Sequence, residues 1–252
     1  MLARHRDPRV VPIEVWDLLV DGVALYDVDR GAGFGAALGR AVELLMSGEA
    51  VSESCPRFPE VCRQLRRVVL AGGAAGAVQW RSTVPAVVAA EPERCGVRGG
   101  LAILAGRRGL VADLGQSRLK VSGAREWVYV RDLSKIPVSM RPVEGAGRAA
   151  LVEFVATGLR EAATECEPEA IVLALPCEIG DDGALGTCSY PWRAGDAIVE
   201  EVLAAAGLER VPTWLVNDAE LAAIGVAADG VADTTLVLTL GFGVGGAVIR
   251  GA

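Results

Sequence analysis

The 252-residue sequence predicts an α/β protein of two similarly organised halves, each with a mixed sheet flanked by helices. Apolar runs bounded by Gly, Pro and Asp alternate with helical patterns along most of the chain. Each half reads as a three-strand meander followed by alternating helices and strands, provided that one half is read around the chain ends. Glycine-rich turns stand at the ends of three of the predicted strands. The repeat is one of architecture and not of sequence.

In chain order, VPIEVWDLLVDG (11–22) reads as a strand, GAALGRAVELLMS as a helix and RRVVLAGG (66–73) as a buried strand. STVPAVVAAEP reads as helical, CGVRG as a short segment and GLAILAG as a helix. GLVADLG (109–115), LKVSG and WVYVRDL (127–133) form the clearer meander. A helix over Ala149–Ala163, the buried strand AIVLALP (170–176), a loop rich in Gly and Asp, and the helix AGDAIVEEVLAAAG (194–207) follow. The strand PTWLVND and the helix AELAAIGVAA complete this half. TTLVLTLG (234–241) and GGAVIRGA are two strands of a second meander whose third member is 11–22. Ala247–Arg250 is therefore expected to pair with VPIEVWDLLV, bringing the chain ends to a hairpin connection where termini relocate with little loss. The lobes so defined are 1–106 plus 232–252, and 107–231.

A 52% hydrophobic content supports a full core. The formal charge of -7, without any run of Lys or Arg, argues against nucleic acid. No stretch reaches the roughly 20 apolar residues that span a bilayer, and MLARHRDPRVV carries charge where a signal peptide needs an apolar core. A cytoplasmic protein is expected. The six cysteines, Cys55, Cys62, Cys95, Cys166, Cys177 and Cys188, lack CxxC spacing and are expected to be reduced. His5 is the only histidine, so an HExxH zinc site, which needs two, is excluded, a Ser-His-Asp triad would have to rest on His5 alone, and acid–base work is expected to fall to carboxylates.

GFGVGG (241–246) matches the dinucleotide-binding GxGxxG, but that fingerprint opens a helix and needs an acidic residue about 20 positions later, where no chain remains. The protein-kinase glycine loop joins two strands, as here, yet HRD lies at His5–Asp7 and no DFG exists. A second glycine turn sits in VADLGQSRLKV (111–121). Gly115 lets backbone amides approach an anion, Gln116 and Ser117 can donate to phosphate oxygens, and Asp113 is placed to hold Mg²⁺ directly or through water. Thr239 and the amides of Gly241, Gly243, Gly245 and Gly246 would supply the facing clamp. VVLAGGAAG (68–76) runs a strand into Gly72, Gly73 and Gly76, where a flat base can lie against the backbone. Each loop alone reads equally as a tight turn.

Together these three stretches resemble the phosphate 1, phosphate 2 and adenosine motifs of the superfamily of acetate and sugar kinases, heat-shock chaperones and actin. AIVLALPCEIGDDGALGTCSYPWR followed by PTWLVNDAELAAIGVA looks like the substrate half of the ROK-type sugar kinases. The resemblance implies two pseudo-repeated actin-like, ribonuclease H-like domains in a circularly permuted order, since the adenosine motif comes first. It implies ATP and Mg²⁺, with the nucleotide between the lobes, Lys120 on the nucleotide side and Gly243 opposite Gly115 across one phosphate site. Asn217 and Asp218 match the family's Asn-Asp pair, with Asp218 resembling the general base for an acceptor hydroxyl; as residues, either also suits a helix cap. Pro176, Glu178, Ser189, Trp192 and Asn217 would contact the acceptor, and Asp181 and Asp182 are further candidates. The family's Gly-Glu-x-Gly-His segment and cysteine-rich zinc loop are absent, so no zinc is expected, and Ser189 and Tyr190 stand where an Asn is usual.

The expectation is an ATP-dependent kinase acting on a sugar or sugar-like metabolite, with no nucleic-acid or membrane partner and a homodimer as an allowed assembly. The alternatives are an actin-like ATPase or nucleotide-dependent activator without a small-molecule acceptor, and a degenerate nucleotide-binding fold that serves as a partner module.

Overall fold

Two runs, Gly109–Leu114 and Ala170–Leu175, have every residue buried, and strands of that kind require cover on both faces. They are the centre of the six-stranded sheet, the larger of two main sheets in the computed structural model, which describes residues 2–29, 31, 33–52, 55, 57–115, 118–123, 128–132, 146–188, 197–241 and 243–251. In chain order the elements are β1 (Leu2–Arg4), β2 (Val10–Ile13), β3 (Leu19–Val20), β4 (Val23–Ala24), α1 (Phe34–Ser47), β5 (Arg67–Ala71), β6 (Ala86–Val88) and α2 (Cys95–Leu104). There follow β7 (Gly109–Leu114), β8 (Arg118–Gly123), β9 (Val128–Asp132), α3 (Ala146–Cys166), β10 (Ala170–Leu175), β11 (Cys177–Ile179), β12 (Leu185–Cys188) and α4 (Ile198–Ala206). The last are β13 (Thr213–Asn217), α5 (Asp218–Ala227), β14 (Thr235–Leu240) and β15 (Val244–Ile249). The chain forms two compact units, Met1–Arg6 with Gly96–Leu221, and Asp7–Cys95 with Ala222–Ala252.

In the first unit the sheet order is β1-β13-β10-β7-β8-β9, parallel from β1 to β7 and antiparallel through β7, β8 and β9. Leu110, Ala112 and Leu114 join Leu151, Val155 and Leu159 of α3 and Val199, Val202 and Leu203 of α4 in one buried cluster. The intervening β7 residues meet α2 closely: a Cβ on Gly100 would lie 2.2 Å from the Val111 side chain, and one on Gly96 2.5 Å from Asp113 Oδ2. Those two glycines, one helical turn apart, let the helix backbone sit directly on the strand. α4 ends at Gly207, whose left-handed φ of 73° lets its N–H bond the Leu203 and Ala204 carbonyls.

The second unit has the order β2-β15-β14-β5-β6, with β14, β5 and β6 parallel and β14, β15 and β2 antiparallel. Its core joins Leu38, Val42 and Leu45 of α1 to Val68, Leu70, Leu236, Leu238 and Val248. Val10, Val11, Pro12 and Ile13 pair with Ile249, Val248, Ala247 and Gly246, and the Arg250 N–H bonds the Arg9 carbonyl at 2.8 Å, which is the expected closure of this meander. Pro12 is tolerated because β2 is an edge strand.

Several expectations need correction. The strand over 11–22 stops at Ile13, and β3 and β4 form a separate hairpin about Asp21 and Gly22, whose φ of 51° and 82° are those of a type I′ turn. The STVPAVVAAEP region is a strand, β6, pairing parallel with β5; Pro85 and the β-branched Val87 and Val88 favour extension over helix. CGVRG belongs to α2, its low propensity offset by the close fit of Gly96 and Gly100. Residues Leu2–Arg4 form an unexpected strand beside β13, so the chain start joins the first unit, as does α2 from Gly96, while 222–231 joins the second. The loop after β10 contains the hairpin β11–β12, which sets Cys177 opposite Cys188 in backbone register. Cys55, Cys62, Cys95 and Cys166 are reduced, as expected, but Cys177 is disulfide-bonded. No helix among the described residues is long and apolar enough to cross a membrane.

Candidate active site

In the first unit β7, β10 and β13 run in one direction, so their carboxyl ends share an edge, the edge at which open α/β sheets bind ligands. Asp113 is level with Ala174, and Ala174 with Val216, so the β7 carboxylate and the start of α5 lie two strands apart on that edge. Asp113 is only 6% exposed. Its cross-strand partner in register is Lys120, whose Nζ donates to Oδ2 at 3.0 Å, and the glycine at position 96 leaves room for the carboxylate. A buried carboxylate of this kind persists only when paired.

Asn217 ends β13 and caps α5. Its Oδ1 accepts from the N–H groups of Ala219 at 2.9 Å and Glu220 at 3.3 Å, while Glu220 Oε2 accepts from the Asn217 N–H at 3.4 Å. This reciprocal pair is a capping box. Asn217 Nδ2 also donates to the Cys177 carbonyl at 3.0 Å, fixing the cap to β11. The side chain expected to touch an acceptor is thus engaged in holding two elements together.

Asp218, the first residue of α5, has its Oδ1 bonded by the Ala219 N–H at 2.9 Å. Burial pushes its carboxyl up to about 7, and the negative Asp113 adds to that rise; the Ala219 N–H and the Lys120 ammonium oppose it. The residue as a whole is half-buried. A carboxyl with that midpoint changes charge near neutral pH, the range in which a side chain exchanges protons most readily. No group of three or more metal-ligating side chains occurs among the described residues, but a nucleotide-borne Mg²⁺ needs only one or two carboxylates. The mutual repulsion of Asp113 and Asp218 is a deficit that a cation relieves, so the donor set fits such an ion.

No protein-family model, curated protein or solved structure matches the chain.

In the second unit the glycines gather at the carboxyl ends of β5 and β14. Gly72 has φ 88°, and a Cβ there would stand 2.4 Å from the Leu240 carbonyl oxygen, so only glycine fits. The Ala74 N–H bonds that carbonyl at 2.9 Å, and Thr239 is in register with Ala71. Positions where Gly73, Gly76 and Gly241 would carry a Cβ have nothing within 4 Å, leaving backbone open to a ligand. Of the glycines expected in the clamp, Gly245 and Gly246 lie inside β15, paired with Thr239 and Leu238, and Gly246 faces Val15 and Ile13. Only Gly241 and Gly243 belong to the turn, which the Gly241 N–H closes on the Gly243 carbonyl at 3.1 Å.

Gly115 follows β7 with its N–H on the Arg118 carbonyl at 2.9 Å, so that amide already serves the turn. It belongs to the first unit and Gly243 to the second. Gln116, Ser117, Ser189 and Trp192 lie outside the described residues. Pro176 is half-buried between β10 and β11, and Glu178 is exposed on β11, lying over Gly186. Asp182 Oδ1 accepts from the Ala184 N–H at 3.0 Å and so shapes the hairpin turn, while Asp181 takes Arg6. Glu220 and Arg4 adjoin this edge without having been expected there. The Asn-x-x-Glu spacing of a capping box announces Glu220; Arg4 has no sequence signal, because it depends on the unexpected β1.

Proposed function

We propose that this chain is an ATP- and Mg²⁺-dependent phosphotransferase acting on a hydroxyl of a sugar or sugar-like metabolite. The observation that carries the proposal is Asp218: a carboxyl raised to about 7, at the first turn of a helix on the carboxyl edge of the parallel strands, beside the Asp113–Lys120 pair. Phosphoryl transfer asks for alignment, charge neutralisation and one carboxylate to orient or deprotonate the acceptor. Asp218 takes the acceptor's proton. Asp113 holds the cation side of the nucleotide, and Lys120 balances charge there. Within the second unit, taken by itself, the open space around Gly73, Gly76 and Gly241 suits the approach of a flat base or an anion. ATP·Mg²⁺, when bound, supplies the phosphoryl group and the neutralising charge.

The strand patterns support an actin-like pseudo-repeat. β9-β8-β7-β10-β13 and β2-β15-β14-β5-β6 have the same sequence of antiparallel and parallel neighbours. If they are equivalent, β2 is the third strand of the second repeat placed ahead of the first two, which is the permuted order.

Calorimetry with ATP·Mg²⁺, followed by an assay of ADP release with and without a panel of hexoses, amino sugars and polyols, tests the proposal. One acceptor should raise turnover well above the bare hydrolysis rate, and Asp218→Asn should abolish that increment. Binding of ATP with no acceptor effect would instead support an ATPase or nucleotide-dependent activator. That second reading draws on one observation, that Asn217 spends its amide on Cys177 and on the helix cap.

A further inference from the structure

Arg4 reaches from β1 to two separate elements. Its Nη2 donates to Glu220 Oε1 at 3.0 Å in the first turn of α5. Its Nη1 donates to the Ile179 carbonyl at the end of β11 and lies 3.7 Å from Asp181 Oδ1 in the hairpin turn. Arg6 also bonds Asp181. Glu220 completes the link, because its second oxygen accepts from the Asn217 N–H, one residue before Asp218. The Arg4 and Glu220 side chains are only 13% and 7% exposed. Desolvating an ion pair costs about as much as its attraction returns, so stability alone gives little reason to bury one here. A guanidinium spans both targets because its nitrogens form a rigid fork; an ammonium is a single point.

We propose that Arg4 and Glu220 are positioning residues that lock the β11–β12 hairpin, with Pro176 and Glu178 at its base, to the helix start carrying Asp218, so that an acceptor hydroxyl meets Asp218 in a fixed orientation. The acceptor half of this statement rests on the phosphotransferase reading; the lock is a property of the first unit and is measurable without a ligand. Misplacing a reacting group by about 1 Å costs up to about a hundredfold in rate, which is the scale on which such a lock matters.

Hydrogen–deuterium exchange on the full ligand-free chain tests the lock in Arg4→Met, Arg4→Lys and Glu220→Gln. Amides of 177–188 and 217–220 should exchange about tenfold faster in all three, with β7 and β10 unchanged. Arg4→Lys should not rescue, since it keeps the charge and loses the span. Wild-type exchange in every variant overturns the lock, and so does faster exchange throughout the unit, which marks general stabilisation. Glu220→Gln keeps the side-chain shape and serves if the Arg4 variants do not fold. With the acceptor selected by the sugar panel, the same variants should lower kcat by up to about a hundredfold and leave the KM for ATP·Mg²⁺ unchanged. An unchanged kcat, or a raised KM for ATP·Mg²⁺, refutes positioning. If the panel yields no acceptor, the phosphotransferase reading fails alone and the exchange experiment still decides the lock.

Discussion

At the carboxyl edge of β7, β10 and β13 the first unit gathers Asp113, Lys120 and Asp218, whereas the corresponding edge of β5 and β14 in the second unit presents Gly72, Gly73, Gly76 and Gly241. The two sheets share a pattern of strand directions but differ in what stands at the strand ends. Side-chain charge in one unit can move or hold a proton and attract a cation. Bare backbone in the other can only be approached. Substitutions that fail in different ways at the two edges therefore separate chemistry from fit.

The largest effect is expected from Asp218→Asn, which should lower acceptor phosphorylation by about 10² to 10⁴ while nucleotide affinity, measured by calorimetry, stays near wild type. Gly72→Val comes next: a branched residue at φ 88° with its Cβ 2.4 Å from a carbonyl should cost roughly 3 kcal/mol in chemical denaturation and weaken nucleotide binding with it.

Asp218 also affects stability, and the sign follows from its raised carboxyl. The folded state holds a proton between about 4 and 7 that the unfolded state releases, so this group's contribution to stability declines as pH rises through that window and is fully adverse above 7. Asp218→Asn keeps the acceptor for the Ala219 N–H and should be more stable than wild type at pH 8 by about 2 kcal/mol, after allowance for partial solvent screening, with the gain vanishing near pH 4. Lys120→Met removes a charge that lowers Asp218, so the acid limb of the pH–rate profile should move to higher pH. Gly73→Ala, at an ordinary φ with open space around it, should change stability by less than about 0.5 kcal/mol and report only on the nucleotide.

Much of the sheet framework was legible because buried strands and long helices carry strong patterns: AIVLALP, GLVADLG and TTLVLTLG fall where expected. β1 and β6 were not, because three-residue strands depend on a long-range partner that local pattern does not contain. Asp113 and Asp218 were legible as candidates; their interaction was not, since it requires two strands to end at one level. The Asp21-Gly22 turn was written in the sequence and was masked by the apolar run around it. The β11–β12 hairpin, which starts at the disulfide-bonded Cys177, was hidden in a stretch that reads as loop.

The central claim is that Asp218 is a base poised near neutrality by its enclosure and by Asp113. Carbon-13 NMR titration of the aspartate carboxyls, with Asp218→Asn used for assignment, measures this directly. A midpoint near 7 that falls when Asp113→Asn removes the neighbouring charge is the predicted result. A midpoint near 4, insensitive to Asp113, would contradict the account.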